Sequence, residues 1–423
     1  MSTIYQRLAR IRDHRLWRQR RPDGMVSWRF LFPGDEPTIR QHRDMRRFAR
    51  QPWIPLPVWV VVQCLLWLRW IAWYAWRDSL AAVRRFGRES VAQGAGALLR
   101  QYGVVLRLAL FDTIPPWAMY AYRLLPPERR HMLWTYVFDH EVQAYHRWRS
   151  APLGDTGAAL VLLQDKATWA RQAAEIGLPV ADSVHVVPRG GNADFAGWLE
   201  LHPRLFCKTR HGARGEGAFV VERSDEPGGY WLREFCGAAV TAAAVDDFVR
   251  RRLAADDYLI QPCLVNHESL AGLGEPDLAI TLRIITRRQD DDAIVASAFL
   301  EVPVALPNGE IVFLFLPANL TDGTLSAATQ TCFSELRAAQ IHLHAALGSR
   351  RLPYWGTVCH SARTAHRRLV AKLYSVAWDF VLTPDGARLL EGNSGWEPYP
   401  VQSLDGGLLA SPPPKLPTTV NAA

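Results

Sequence analysis

"WDFVLTPDGARLLEGN", residues 378–393, sets two apolar runs on either side of Pro384-Asp385-Gly386. The pair reads as a β-hairpin closed by a three-residue loop, a type I turn with Gly386 in the left-handed position. With that loop Thr383 opposes Ala387, and Asp379 opposes Glu391 directly. Opposed residues share a face of the sheet, and Asn393, two further on, lies on that face too. Phe380, Leu382 and Leu390 then point to the other side. Two facing carboxylates destabilise a hairpin unless a cation sits between them. Hard oxygen donors with few protein contacts suit Mg²⁺ completed by phosphate and water, with Mn²⁺ as an alternative ion. A surface hairpin with solvated acids fits the same letters, and a one-residue change of register undoes the convergence. Both readings stand on these residues alone.

A second stretch, "LFCKTRHGARGEGAFVVE" (residues 205–222), places a lysine at the end of an apolar strand, before Gly212, Gly215 and Gly217. Lysine occurs only at 166, 208, 372 and 415, so its use here is selective. A strand fixes the ammonium as a point charge, and glycines let backbone N–H groups approach phosphate oxygens. The lysine precedes the glycines, so this is not the P-loop pattern. A glycine-rich hairpin with an exposed lysine is the plain alternative.

The whole chain of 423 residues is 49% apolar and 21% charged, the balance of a globular protein of two or three domains. Six scattered cysteines without a C-x-x-C pair argue against a structural zinc or a disulfide framework and for a reducing compartment. The first residues show no secretory pattern, so a cytoplasmic location is expected. The net charge of +8 equals the excess of residues 1–50, where thirteen arginines face five acids. This basic arm, residues 1–52, suits anionic lipid or nucleic acid, or is simply solvated.

Residues 53–76, "WIPLPVWVVVQCLLWLRWIAWYAW", carry one charge and six tryptophans. The run from Leu56 to Leu68 is shorter than the ~20 apolar residues of a spanning helix. Tryptophan and arginine at its ends suit a headgroup interface. Buried, interfacial and spanning helices all remain open. Beside the basic arm, contact with the inner face of a membrane through residues 1–76 is preferred to nucleic acid.

Residues 77–150 read as helices, broken at Pro115-Pro116 and resumed in "PPERRHMLWTYVFDHEVQAYHRW". From about 155 helices and strands alternate. "KATWARQAAEIG" is a helix ended by Gly177, "RLFCK", "GAFVVE" and "YLIQPCLV" are strands, and "LAITLRIITRR" and "AIVASAFLEV" are long strands. The class is α+β with much antiparallel sheet. A domain over residues 151–405 and a disordered tail over 406–423 complete the expected organisation.

In these pieces residues 155–400 resemble an ATP-grasp domain of the sugar-transfer associated branch, two α+β lobes with nucleotide between them. "LLQDKATWARQAAEIGLPV" resembles the helix whose lysine, here Lys166, reaches the nucleotide phosphates. "LFCKTRHGARGEGAFVV" resembles the phosphate-binding lysine (Lys208) with its glycine-rich lid. "YLIQPCLVNHESL" is similar to the hinge strand that receives adenine near Gln261 and Leu264, and Glu268 stands where the ribose hydroxyls are held. "ITLRIIT" resembles the strand whose arginine, Arg283, meets the terminal phosphate. "LPYWGTV" followed by the hairpin resembles the region of the Mg²⁺ ligands, here Asp379, Glu391 and Asn393. One departure stands out: Glu301 follows the strand at 293–300, where an arginine is expected. "PANLTDGTL" then offers Asn319 without paired glycines.

The resemblance implies ATP- and Mg²⁺-dependent activation of a carboxylate as acyl phosphate for attack by an amine. The substrates would be small and sugar-linked, in polysaccharide or cell-surface glycan synthesis. Lys208 and Arg283 would act at the transferring phosphate. The alternatives are a nucleotide-binding subunit without catalysis and an ATP-grasp kinase.

Overall fold

The computed structural model describes residues 19–32, 36–92, 94–212, 215–224, 229–235, 237, 239–241, 244–275, 277–306, 309–326, 336–347 and 350–410. Residues 1–18 of the basic arm, with five of its thirteen arginines, and residues 411–423 of the expected tail fall outside them. The chain divides into two compact units. One comprises residues 1–154, 329–337 and 395–423, the other 155–328 and 338–394.

The first unit is helical. A continuous helix begins at Leu56, passes through a π-turn at Trp70–Tyr74 and runs on through Ala75–Ala92. It packs against the helices Leu98–Asp112 and Pro116–Ala121, and Trp70 Nε1 donates to the Ala109 carbonyl at 2.7 Å. The break at Pro115-Pro116 is as expected, since proline starts a helix more readily than it continues one. The following stretch is less regular than its sequence implies. Pro127–Thr135 is 3-10 helix, Tyr136 is extended, and α-helix returns only over Val142–Ser150.

Residues 395–405 belong to this unit and not to the domain that ends at 405 in the sequence reading. The cause is a buried carboxamide in the helix Tyr399–Asp405. Gln402 accepts from Val137 N (2.7 Å) and donates to Val137 O (2.8 Å) and Tyr122 Oη (3.0 Å). The expected tail also starts later than 406: Leu408–Ala410 form a 3-10 turn, with Leu409 buried beside Met45 and Ala49.

His146 ties the same return to the helix Val142–Ser150. Its Nε2–H donates to the Trp396 carbonyl at 2.9 Å, and burial pulls the imidazole down to about 4 against a partial rise from that bond. Below pH 6.5 the unfolded chain takes up a proton that the native imidazole refuses. Stability therefore falls as pH drops from about 6.5 to about 4, by roughly 3 kcal/mol from this residue. Thermal unfolding at pH 7 and pH 4.5 is expected to show a smaller acid loss in His146→Gln than in the wild type; equal losses would refute the assignment.

The second unit contains two antiparallel sheets. The first has the order β1-β6-β2-β3-β4-β5, formed by His185–Val187, Tyr258–Pro262, Arg204–Thr209, Phe219–Arg223, Tyr230–Glu234 and Ala239–Val240. Leu205 and Cys207 of β2 join Phe219, Val221 and Ile260 in its core, beneath the helices Phe195–Leu201 and Val245–Ala255. The two-residue period of a strand then turns Phe206 and Lys208 to the opposite face.

The second sheet has the order β11-β10-β7-β8-β9, from Gly386–Asn393, Ser375–Thr383, Thr281–Gln289, Asp292–Ala305 and Ile311–Pro317. The helix Trp355–Leu369 lies against it. All nine residues of β10 are buried, Asp379 among them. Trp378 points into the core, donating from Nε1 to Thr286 Oγ1 at 2.7 Å, so its neighbour Asp379 faces the other way. This is the two-lobed α+β arrangement that the resemblance implies.

Candidate active site

The hairpin of β10 and β11 reaches the expected pairing by another route. Thr383 pairs with Gly386 and Leu382 with Ala387, so the loop has two residues, not three. Gly386, at φ +131°, permits this tighter turn. A bulge then restores the register: Phe380 pairs with Leu389, Asp379 with Glu391, and Leu390 is left over between them. The bulge also moves Leu390 onto the wall of the site, whereas Leu389 is fully buried. The carboxylates face each other because two deviations cancel.

Across the sheet the row continues. Glu391 is opposite Asp379, and Asp379 is opposite Arg283 of β7. Arg283 donates from Nε to Asp379 Oδ1 at 2.6 Å and from Nη2 to Oδ2 at 2.7 Å, and Nη1 lies 2.7 Å from Glu301 Oε1. The guanidinium is thus engaged by two carboxylates and stands behind Asp379. Burial lowers its pKa, but Asp379 and then Glu301 outweigh that and hold it above its ordinary value. Asn393 Nδ2 donates to Asp379 Oδ2 (3.1 Å) and Glu391 Oε1 (3.3 Å), clamping the pair.

This row carries more negative than positive charge in a buried place. Asp379 is pushed up by burial and by Glu391, although Arg283 and Lys208 oppose the shift. The Glu301 carboxyl is pushed up to about 7 by burial, then by Asp379 and Glu391, against the pull of Arg283. An added cation relieves this excess. Asp379, Glu391 and Asn393 supply oxygen donors of the kind Mg²⁺ takes, provided the Asn393 amide turns its oxygen inward. Among the described residues no cluster of three or more His, Cys, Asp or Glu side chains is placed to hold a metal, so the set depends on Asn393.

The lysines approach from the other side, Lys208 on β2 and Lys166 at the start of a helix. Asp165 caps the helix Lys166–Glu175 by accepting from Thr168 N at 3.1 Å, and Arg210 pairs with both its oxygens at 2.8 and 2.7 Å. That pair pins the start of the helix to the chain just past β2, which brings Lys166 beside Lys208. Lys166 Nζ donates to Thr209 O at 3.4 Å and to Gly212 O. Burial lowers the Lys208 pKa and Lys166 adds to this, while Glu391 and Asp379 counter it. An ammonium so crowded by another gains from an anion.

One cavity of about 170 Å³ gathers these groups. Lys166, Lys208, Gly212, Gly215, Asp379 and Glu391 line it, together with Phe206, Thr209, Glu216, Phe235, Thr281, Glu301 and Leu390. Gly217, Gln261, Leu264, Glu268, Arg283 and Asn393 do not. Glu268 is exposed at the start of a 3-10 turn, and the buried Gln261 side chain donates at 3.4 Å to the Ala181 and Asp182 carbonyls. The space is smaller than the ~300 Å³ of an ordinary ligand pocket.

Phe206 and Phe235, whose rings meet edge to face at 5.3 Å, escaped the sequence reading. The signal for Phe206 was present: it lies two residues before Lys208 on the same face of β2.

Gly212 lies close against Thr209. A Cβ there would meet Thr209 Oγ1 and force that hydroxyl to turn. Gly212→Ala is expected to crowd Thr209, beside Lys208, and to weaken binding of a polyphosphate about ten-fold, equal to ~1.4 kcal/mol. Calorimetric titration checks this, and unchanged affinity would count against a phosphate role for the loop.

No family model matches the chain, and no curated protein matches it. Solved structures do. The chain is similar to the ATP-grasp ligase PsnB in complex with a minimal precursor, at 14% identity, over 57% of this chain and 54% of that one, with a TM-score of 0.30. It is similar to D-alanine–D-alanine ligase from Bacillus anthracis, at 10% identity over 56% and 58%, TM-score 0.32. With the D-cycloserine synthetase DcsG the figures are 19% identity, 70% and 79%, and 0.33. The chain spans little more than half the length of the first two.

Proposed function

We propose that the chain is an ATP- and Mg²⁺-dependent ligase of the ATP-grasp type, which activates a carboxylate as its acyl phosphate for attack by an amine. The observation that carries this is the convergence of Lys166 and Lys208 on one cavity with the facing carboxylates Asp379 and Glu391. Lys208 from one sheet, Lys166 from the helix pinned beside it and acids from the other sheet suit a metal–polyphosphate held between them.

ATP brings nearly four negative charges, which Lys166 and Lys208 offset as point charges while the backbone at Gly212 and Gly215 lets phosphate oxygens approach. Asp379, Glu391 and Asn393 would hold Mg²⁺, which when bound neutralises the polyphosphate further. Arg283 keeps Asp379 oriented and favours its charged form. A substrate carboxylate oxygen then forms a bond to the γ-phosphorus, ADP leaves, and the amine displaces phosphate from the acyl carbon with loss of one N–H proton. The protein's part is alignment and fixed charge, where most catalysis of phosphoryl transfer originates.

Glu301 bears on the acceptor. Its carboxylate lines the cavity where the resemblance leads one to expect a cation. A carboxylate there suits an incoming ammonium or hydroxyl better than an anionic acceptor, and this keeps the kinase reading in play. We place the substrates among small, sugar-linked carboxylates and amines, a reading that rests on the sequence resemblance alone.

The test is to follow ADP and phosphate with Mg-ATP and panels of carboxylates and amines. A ligase releases phosphate only when both partners are present. Phosphate retained on a single acceptor would establish a kinase, and failure of folded protein to bind Mg-ATP would remove the enzymatic reading.

A further inference from the structure

The helix that starts at Leu56 is, over the 36 residues to Val91, long and apolar enough to cross a membrane, yet one of its faces is fastened to protein. Trp70, Ala75, Ala82, Val83 and Phe86 are buried along that face. Polar groups are tied down there as well. Gln63 accepts from Asp23 N at 2.7 Å and donates to Asp23 Oδ2 at 3.1 Å, and Arg69 donates to the Gln19 carbonyl. A spanning helix would carry these polar contacts into hydrocarbon, where they are costly.

The opposite face is unlike that of a soluble helix. Val61 (59% exposed), Leu65 (48%), Leu68 (51%), Trp73 (62%) and Trp76 (48%) recur at three-, four- or five-residue intervals and stand in solvent. An exposed apolar stripe of this length marks an interaction surface. Along the same face the composition then changes sign: Arg84, Arg85 and Arg88 are exposed over the last turns. Beside them lies a groove of about 600 Å³, with Leu80, Val83, Leu98 and Leu99 as its apolar lining and Arg84 and Arg88 at its edge.

We propose that this face lies flat on an anionic phospholipid bilayer, with the stripe from Val61 to Leu80 immersed to the depth of the headgroup–acyl boundary and the arginines engaging lipid phosphates. Charge complementarity selects the occupant. The surface pairs an apolar stripe with guanidinium groups at one end, and an anionic bilayer offers hydrocarbon beneath phosphate in the same layout. Tryptophan is stable at that depth, since its ring is apolar and its N–H finds a polar partner. The surface belongs wholly to the helical unit, so the inference stands apart from the ligase reading.

The full chain, purified, would be floated with vesicles of phosphatidylcholine alone and of phosphatidylcholine with phosphatidylglycerol. Binding to the anionic vesicles is expected. Leu65→Glu with Trp73→Glu should lower it on the order of ten-fold or more, since both would place charge in the immersed stripe. Arg84→Ala with Arg88→Ala should lower it about thirty-fold on anionic vesicles only, near five-fold per charge. Circular dichroism melts of both variants establish that they remain folded. Binding unchanged in Leu65→Glu/Trp73→Glu would assign the affinity to the basic arm and overturn the proposal. So would no binding by the wild type, or a wild-type dimer that this variant dissociates without any vesicle binding.

Discussion

Lys208→Ala is expected to slow ATP-dependent turnover by about 10²–10³, the usual cost of removing one preorganised donor to a transferring phosphoryl group. Lys208 sits on the open face of β2, and its ammonium is already disfavoured by burial and by Lys166. Alanine therefore removes a strained charge, and the folded protein should lose little stability or even gain some. This separates the two roles the residue can have. Loss of turnover with an unchanged melting temperature marks a phosphate ligand, whereas parallel loss of both marks a structural cation. Arginine should not rescue, because its longer planar fork cannot occupy the place of a compact ammonium between Lys166 and the glycine segment. Single-turnover assays beside thermal melts would read both quantities. Turnover within a few-fold of the wild type would remove Lys208 from the chemistry.

The second large effect concerns the acids. Asp379→Asn combined with Glu391→Gln should abolish the dependence of nucleotide binding on Mg²⁺ and, with it, turnover. The single variants are expected to diverge in stability. Asp379→Asn takes from the buried Arg283 the carboxylate that holds it at 2.6 and 2.7 Å, and breaking such a pair costs about 3–5 kcal/mol. Glu301 still engages the guanidinium, so the low end of that range is expected. Glu391→Gln removes a like charge facing Asp379 and should leave the melting temperature level or raise it without metal. Titrating Mg²⁺ against the wild type should then raise the melting temperature, and against the double variant it should not. Full turnover in the double variant would sink the metal assignment.

Part of the geometry around these residues was legible in the letters. A strand has a period of two, so Lys208 had to lie opposite the Leu205–Cys207 core face. The facing of Asp379 and Glu391 was legible too, but for a partly mistaken reason. Sequence gave no sign that Leu390 would bulge, because a bulge depends on how β10 packs against β7 and on the tightness of the Gly386 turn. The same limit applies to Arg283. Its place on β7 was readable, but its neighbours were not. Register across β10, β7 and β8 sets it between Asp379 and Glu301, and that makes it a support for the acids instead of a wall of the cavity.

Local patterns determined by themselves the α+β class, the strands that bear the lysine and the carboxylates, and the apolar segment at 53–76. Helical and strand periods, glycine turns and charge runs act over a few residues, and a sequence displays them directly. Tertiary structure alone decided which face of that segment is covered, which of the predicted ligands share a cavity, and that Gln402 draws residues 395–405 to the helical unit. Those outcomes depend on contacts between residues as far apart as Val137 and Gln402. The chain encodes such contacts only through the joint packing of many side chains, which no short stretch contains.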